Sequence, residues 1–132
     1  MIGIRHSGGG GSGFVISRDG LALTNYHVVA DGQEMRAVLR DGRRLPLRVL
    51  RVNEDADVAL VQVACIEACH ALTVTTRTPP IGTDVYVVGN PLGLDHTLTA
   101  GVVSGIRRQG SHVPIQTDAT VNPEQRRFNR RC

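Results

Sequence analysis

The stretch MRAVLRDGRRLPLRVLRV, residues 35–52, decides the fold class. Its arms Met35–Arg40 and Arg43–Val52 are separated by Asp41-Gly42, and Asp-Gly supplies the positive φ angles of a tight hairpin turn. In the second arm apolar residues alternate with Pro46 and Arg48, which is the period of a half-buried strand. The stretch therefore predicts a β-hairpin, with Pro46 at a sheet edge or a bulge.

Further strand signals lie on both sides of this hairpin. Asp-Gly recurs at residues 19–20 and 31–32, and such regular turn signals favour short antiparallel strands. Val58–Val63 (VALVQV) is a continuous apolar run, as expected of an interior strand. A Pro-rich break near residues 76–82 precedes three more strand-like segments, which are Asp84–Val88, Leu98–Ser104 and Val113–Thr117. The sequence therefore predicts a barrel of about six strands and the beginning of a second one.

The charge distribution and the apolar stretches of the chain argue against several classes of function. All 15 cationic residues are Arg, and the last nine residues carry the whole net charge of +3, so the body of the chain is neutral. The basic run is short and terminal and lacks an aromatic platform, so we expect no nucleic-acid partner. No apolar stretch is long enough for a membrane span, and Met1–Gly13 holds Gly in place of the apolar region of a signal peptide.

Two local motifs resemble ligand-binding motifs. Gly8, Gly10 and Gly13 match G-x-G-x-x-G, but no helix follows them, so we expect irregular backbone and no nucleotide. Cys65-x-x-x-Cys69-His70 would need His27, His6 or Cys132 to complete a metal site. A pair of buried thiols and a local disulfide are the other interpretations. The sequence predicts neither a metal nor a cofactor.

Two ionisable residues flank apolar segments. His27 lies in Leu23–Val29 (LTNYHVV), and Asp57 opens the apolar run Val58–Val63. A carboxylate leading into a buried strand is costly unless it is paired. A histidine is a suitable partner, because an acid on one ring nitrogen fixes the tautomer and leaves the other as a general base. A capping Asp and an unrelated core His remain the alternative.

Five motifs occur in one order along the chain: GSGFVI at residues 11–16, LTNYHVV at 23–29, DADVALV at 55–61, VGNPLG at 88–93, and QTDA at 116–119 followed by VNP at 121–123. Together they resemble the high-temperature-requirement (Deg-type) branch of the trypsin-like serine proteases, from about Gly10 to Pro123. The resemblance implies an all-β, trypsin-like double β-barrel whose active site acts on polypeptide substrates, without a cofactor.

The resemblance also implies roles for individual residues. It makes His27 the general base and Asp57 the residue that orients it, in the chain order His, Asp, Ser. It places Thr117, Asp118 and Ala119 on the substrate-binding wall. It divides the chain into a Gly-rich segment (1–13), a first barrel (14–78), a partial second barrel (79–123) and a basic tail (124–132).

The family pattern fails after Pro123. The family continues Asn-Pro-Gly-Asn-Ser-Gly-Gly, whereas this sequence reads Asn122-Pro123-Glu124-Gln125-Arg126, with Arg126 at the serine position. No serine follows Ser111, and Glu124 would oppose negative charge developing in an oxyanion hole. We therefore expect a second barrel that is only begun and a chain that does not cut peptides on its own.

Four further expectations follow from these observations. The cleft that the resemblance implies beside His27 and Asp57 could still bind an extended peptide without catalysis, since peptide addition to a strand edge needs no serine. A partner chain could instead supply the missing serine, or the incomplete barrel could self-associate. The resemblance implies a periplasmic or otherwise exported setting.

Overall fold

The computed structural model describes residues 1–30, 32, 34–64, 70–89, 97–107 and 114–120 of the 132-residue chain. Nine β-strands and one short helix lie in these residues. They are β1 Ile2–His6, β2 Gly9–Val15, β3 Leu21–Thr24, α1 Tyr26–Val29, β4 Arg36–Val38, β5 Arg44–Asn53, β6 Val58–Val63, β7 Asp84–Gly89, β8 Thr97–Ile106 and β9 Ile115–Thr117. Among the described residues, no helix has both the length and the apolarity to cross a bilayer. The chain divides into two units between Thr75 and Thr76.

Six strands of the first unit close into a barrel in the order β1-β2-β3-β6-β5-β4. β1 completes the circle, since its Ile4 lies opposite Gly11 of β2 on one side and opposite Ala37 of β4 on the other. β6 spans the predicted Val58–Val63 and lies between β3 and β5. The prediction of an all-β chain with a complete first barrel is therefore confirmed.

The barrel interior is filled by small and β-branched aliphatic side chains. β6 shows the alternation, because Ala59, Val61 and Val63 are buried while the intervening residues are half-buried. The buried cluster comprises Ile2, Ile4, Val15, Ala22, Val28, Val29, Ala37, Leu45, Ala59, Val61 and Val63. Burial of this apolar surface is the main favourable contribution to the stability of the unit.

The hairpin predicted for residues 35–52 is present as β4 and β5, and Gly42 in its turn has a φ of +89°. The prediction that Pro46 lies at a sheet edge or a bulge is wrong. β5 lies between β4 and β6 in the closed barrel, and its register shift falls further along, between Val49 and Arg51. The carbonyl of Pro46 accepts from the backbone N–H of Ala64. Ala64 directly follows β6, and the nitrogen of a strand residue faces the same side as its carbonyl. The nitrogen of Pro46 therefore faces β6, and its missing N–H leaves the pairing with β4 intact.

The Gly-rich segment forms strands, whereas the sequence predicted irregular backbone for it. Residues 1–13 contain β1, the β1–β2 turn and most of β2, so the barrel begins at Ile2 and not at residue 14. Glycine is uncommon in strands, which explains why the pattern predicted irregular backbone. Gly11 is required by close approach, because a Cβ there would lie 2.6 Å from a methyl carbon of Val28.

The second unit contains a three-stranded antiparallel sheet in the order β7-β8-β9. β7 and β8 pair from Asp84 opposite Val102 to Gly89 opposite Thr97. β9 pairs with the far half of β8, where the register shifts between Val103 and Gly105. These strands match the three predicted segments, apart from Val113, which lies outside the described residues. In this part of the chain the second sheet is incomplete as a barrel, as predicted.

Candidate active site

Strand pairing brings two distant parts of the first unit together at one end of the barrel. β3 ends at Thr24, which lies opposite Ala59 of β6. α1 begins two residues after Thr24 and carries His27, while Asp57 lies two residues before Ala59. The register of β3 and β6 therefore places both residues beside the same strand ends.

His27 and Asp57 form two hydrogen bonds with each other. Nδ1 of His27 lies 2.7 Å from Oδ2 of Asp57, and the backbone N–H of His27 donates to Oδ1 over 2.9 Å. The Asp57 side chain is 9% exposed and the His27 side chain 38% exposed. A carboxylate only accepts, so the hydrogen lies on Nδ1, and Nε2 of the neutral ring is available to accept a proton.

The backbone of Asp57 adopts the left-handed conformation, with a φ of +55°. Asp tolerates this region better than most residues, although it still costs about 1–2 kcal/mol relative to the right-handed one. The side-chain amide of Asn25 donates to the Asp57 carbonyl over 3.0 Å, and the N–H of Asp57 donates to the Glu54 carbonyl over 3.1 Å. These hydrogen bonds stabilise the turn that aims the carboxylate at His27.

Thr24, Asn25 and Tyr26 support this pair, although their roles were not predicted from the sequence. Thr24 is fully buried, and its hydroxyl donates to the carbonyl of Ser12 over 2.8 Å, which fastens the end of β3 to β2. Asn25 is also buried, and Tyr26 donates to the Glu54 carboxylate over 3.0 Å. A signal was present, because Thr24-Asn25 places two polar residues between an apolar strand and an apolar helix.

The residues predicted for substrate binding lie in the second unit, around the end of β9. Asp118 accepts at Oδ1 from the backbone N–H of Val102 over 2.8 Å, and the hydroxyl of Thr117 accepts from the N–H of Ala119 over 3.1 Å. Ala119 is buried. The polar side chains of Thr117 and Asp118 thus hold a local turn against β8.

Several predicted features lie outside the described residues. They are Arg126 with the whole basic tail, the pair Cys65 and Cys69, and Cys132. Within the described ranges, no group of three or more His, Cys, Asp and Glu residues has the arrangement of a metal site. What the described residues do provide is an oriented imidazole beside a buried carboxylate, which is the arrangement of a general base.

The sequence of this chain matches a family profile and several known proteins. The family profile described as "Trypsin-like peptidase domain" matches residues 11–125. The chain is 38% identical over 125 residues to Protease Do-like 1, chloroplastic, of Arabidopsis thaliana, covering 87% of this chain and 28% of that protein. It is 40% identical over 117 residues to a probable periplasmic serine endoprotease DegP-like of Pseudomonas fulva, covering 86% and 24%.

A third relative is also described as a serine protease. The putative serine protease HhoB of Synechocystis is 39% identical over 125 residues, covering 87% of this chain and 30% of that protein. The chain therefore spans less than a third of the length of the curated relatives that it matches.

Proposed function

The chain belongs to the trypsin-like peptidase family, and from that premise we propose that His27 and Asp57 are the general base and the orienting carboxylate of a serine-endopeptidase site. The observation that carries the proposal is the double hydrogen bond from His27 to the buried Asp57 carboxylate. In such a site the base takes the proton of a serine hydroxyl, and the carboxylate stabilises the imidazolium that forms. The Deg-type relatives support serine endoproteolysis as the family chemistry.

The nucleophile is the missing part of this site. Arg126 stands where the family pattern has serine, and a guanidinium is neither a nucleophile nor a proton donor that His27 can deprotonate. Loss of the serine alone costs about 10⁶ in turnover in a comparable enzyme. We therefore propose that these 132 residues do not hydrolyse peptides by themselves and that a serine from outside them, for example from a partner chain, is needed for activity.

Peptide binding without hydrolysis is a second candidate function. β9 is the last strand in the order β7-β8-β9, so among the described residues its outer edge has no partner strand. An extended peptide can add to such an edge through main-chain hydrogen bonds. Because Thr117 and Asp118 hold the local turn, we propose that their contribution to peptide binding comes through the main chain.

We also propose a cellular setting and self-association for this chain. Two of the relatives quoted above are named for a location, the chloroplast and the periplasm. We propose an exported setting for this chain on the strength of the periplasmic relative.

Self-association through the incomplete second sheet is proposed because unpaired strand edges favour pairing with a further chain.

A turnover assay tests the proposal directly. The purified chain is incubated with casein and, in parallel, with a covalent serine-directed probe, beside the matched variant His27→Ala. We expect no turnover and no labelling in either protein. Turnover by the unmodified chain that disappears in His27→Ala would show that another nucleophile exists and would overturn the proposed inactivity.

The pairing itself is tested by nuclear magnetic resonance, independently of turnover. Asp57→Asn keeps a residue that tolerates the left-handed backbone but removes the negative charge beside the imidazole. We expect the His27 Hδ1 signal to be lost, because an amide offers one acceptor oxygen where the carboxylate offers two, one for the backbone N–H and one for the ring of His27. A His27 Hδ1 signal that persists would contradict the assignment of Asp57 as the orienting residue.

A further inference from the structure

A second histidine, His6 at the end of β1, contacts the helix that carries His27. Nε2 of His6 lies 2.8 Å from the carbonyl oxygen of Val28, and Nδ1 accepts from the backbone N–H of Gly8 over 3.1 Å. A backbone N–H only donates and a carbonyl only accepts. Both bonds are therefore satisfied by one species alone, the neutral imidazole with its hydrogen on Nε2.

α1 depends on such outside contacts. It has four residues, and so short a helix is not stable in isolation. Asp57 binds α1 near its beginning, through the backbone N–H and ring of His27. The next residue, Val28, is bound twice from the other strands: its carbonyl accepts from His6, and its methyl groups fill the space above Gly11.

The ring of His6 also packs against the chain that leaves α1. A Cβ added at Gly32 would lie 3.1 Å from Cγ of His6 and 3.0 Å from Sδ of Met35. The N–H of Gly32 donates to the carbonyl of Val29, the last residue of the helix. His6 therefore contacts both the final turn of α1 and the backbone that follows it.

We propose that His6 is a positioning residue for His27. By donating to the Val28 carbonyl, His6 fixes the rotation of α1 about its own axis, and that rotation sets the direction in which Nε2 of His27 faces. Asp57 restrains the ring through Nδ1, and His6 restrains the backbone one residue further along. The inference rests on the proposed function, because it takes His27 as the general base.

Two substitutions separate positioning from simple packing. Gln at position 6 keeps an N–H donor for the Val28 carbonyl, whereas Phe keeps a flat ring without any donor. In the chain labelled with ¹⁵N, we expect the His27 Hδ1 signal to persist in His6→Gln and to be lost or broadened in His6→Phe. Thermal unfolding measured in parallel reports how much each change affects the fold itself. A wild-type His27 signal in His6→Phe, or equal loss in both variants, would overturn the proposal.

The unmodified chain provides a test that does not depend on the folding of a variant. The ¹⁵N shifts of the His6 ring at neutral pH are expected to show the tautomer with hydrogen on Nε2. The opposite tautomer would overturn the proposal, because His6 would then have no hydrogen to donate to Val28.

The two proposals fail in different ways. Asp57→Asn is expected to remove the His27 Hδ1 signal and to leave the tautomer of His6 unchanged. A His27 signal that survives Asp57→Asn contradicts the proposed function. A His27 signal that survives His6→Phe contradicts only the role of His6.

Discussion

The closed barrel and the three-stranded sheet are built from the same kinds of residue, yet they bury them differently. In the barrel Ile4, Val61 and Val63 are almost fully buried. In the sheet Tyr86 and Leu98 are each 66% exposed. Leu98 lies opposite Val88, and Val88 lies two residues from Tyr86, so the three share one exposed face. Alternation alone therefore does not create a core, because the apolar face must also be covered by further chain.

The same contrast separates the two sets of proposed site residues. His27 and Asp57 are held by strands that are far apart in sequence, since β3 and β6 must pair before the two can meet. Thr117, Asp118 and Ala119 are held by hydrogen bonds within one turn and to the neighbouring β8. The first arrangement requires the whole barrel, whereas the second requires only a local turn and one adjacent strand.

The largest expected effect is on the free energy of unfolding, and it compares a buried side chain of the barrel with an exposed one of the sheet. Ile4→Ala removes a fully buried side chain from the barrel, and we expect it to lower the free energy of unfolding by about 2–5 kcal/mol. Leu98→Ala is the matched change on the exposed face of the sheet and should stay within about 0.5 kcal/mol. Urea unfolding followed by circular dichroism gives both values. Equal losses would mean that the face of Leu98 is covered in solution.

A smaller loss of stability is expected from removing the hydrogen bond between Asn25, which follows β3, and Asp57. Asn25→Ala removes the hydrogen bond to the Asp57 carbonyl, and we expect a loss of about 1 kcal/mol with a change in the Asp57 backbone signals. Asn53→Ala is the control, because Asn53 accepts from Ala56 in the same loop but at the exposed surface. A larger effect of Asn53→Ala would show that the exposed end of the loop, and not Asn25, holds Asp57 in place.

The smallest effect concerns the hairpin turn between β4 and β5. The backbone N–H of Arg43 lowers the pKa of Asp41, and the Arg43 guanidinium adds to this. A group whose pKa is lowered by folding stabilises the fold above its unfolded value, near pH 4, and loses this contribution as the pH falls through the folded value. Asp41→Asn should therefore flatten a shallow decline in melting temperature at acidic pH. An identical decline in both proteins would assign it to other carboxylates.

Much of the strand pattern was predictable because it depends on local signals. Asp41-Gly42 predicted the hairpin, and the apolar run Val58–Val63 predicted β6 within its observed bounds. β2 was missed because its glycines carry no side chains to alternate. Pro46 was misjudged because a single sequence does not reveal which side of a strand its nitrogen faces.

The site was predictable only in outline. His27 and Asp57 stood out because ionisable residues beside apolar runs need partners. The left-handed backbone of Asp57 and the amide of Asn25 that supports it depend on tertiary contacts across 32 positions. The role of His6 was equally hidden, because nothing in the sequence near residue 6 points to the carbonyl of Val28.

Barrel closure through β1 and β4 has a consequence for the order in which the molecule forms. Neighbouring strands such as β1 and β2 can pair early, whereas β1 with β4 and β3 with β6 join segments about 30 to 40 positions apart. Such non-local pairings slow folding, because the entropy of a long loop is lost before the contacts form. His27 meets Asp57 only through the β3–β6 pairing, so we expect the imidazole to be oriented late in folding. We therefore expect a nascent chain to have strands well before it has the His27–Asp57 pair.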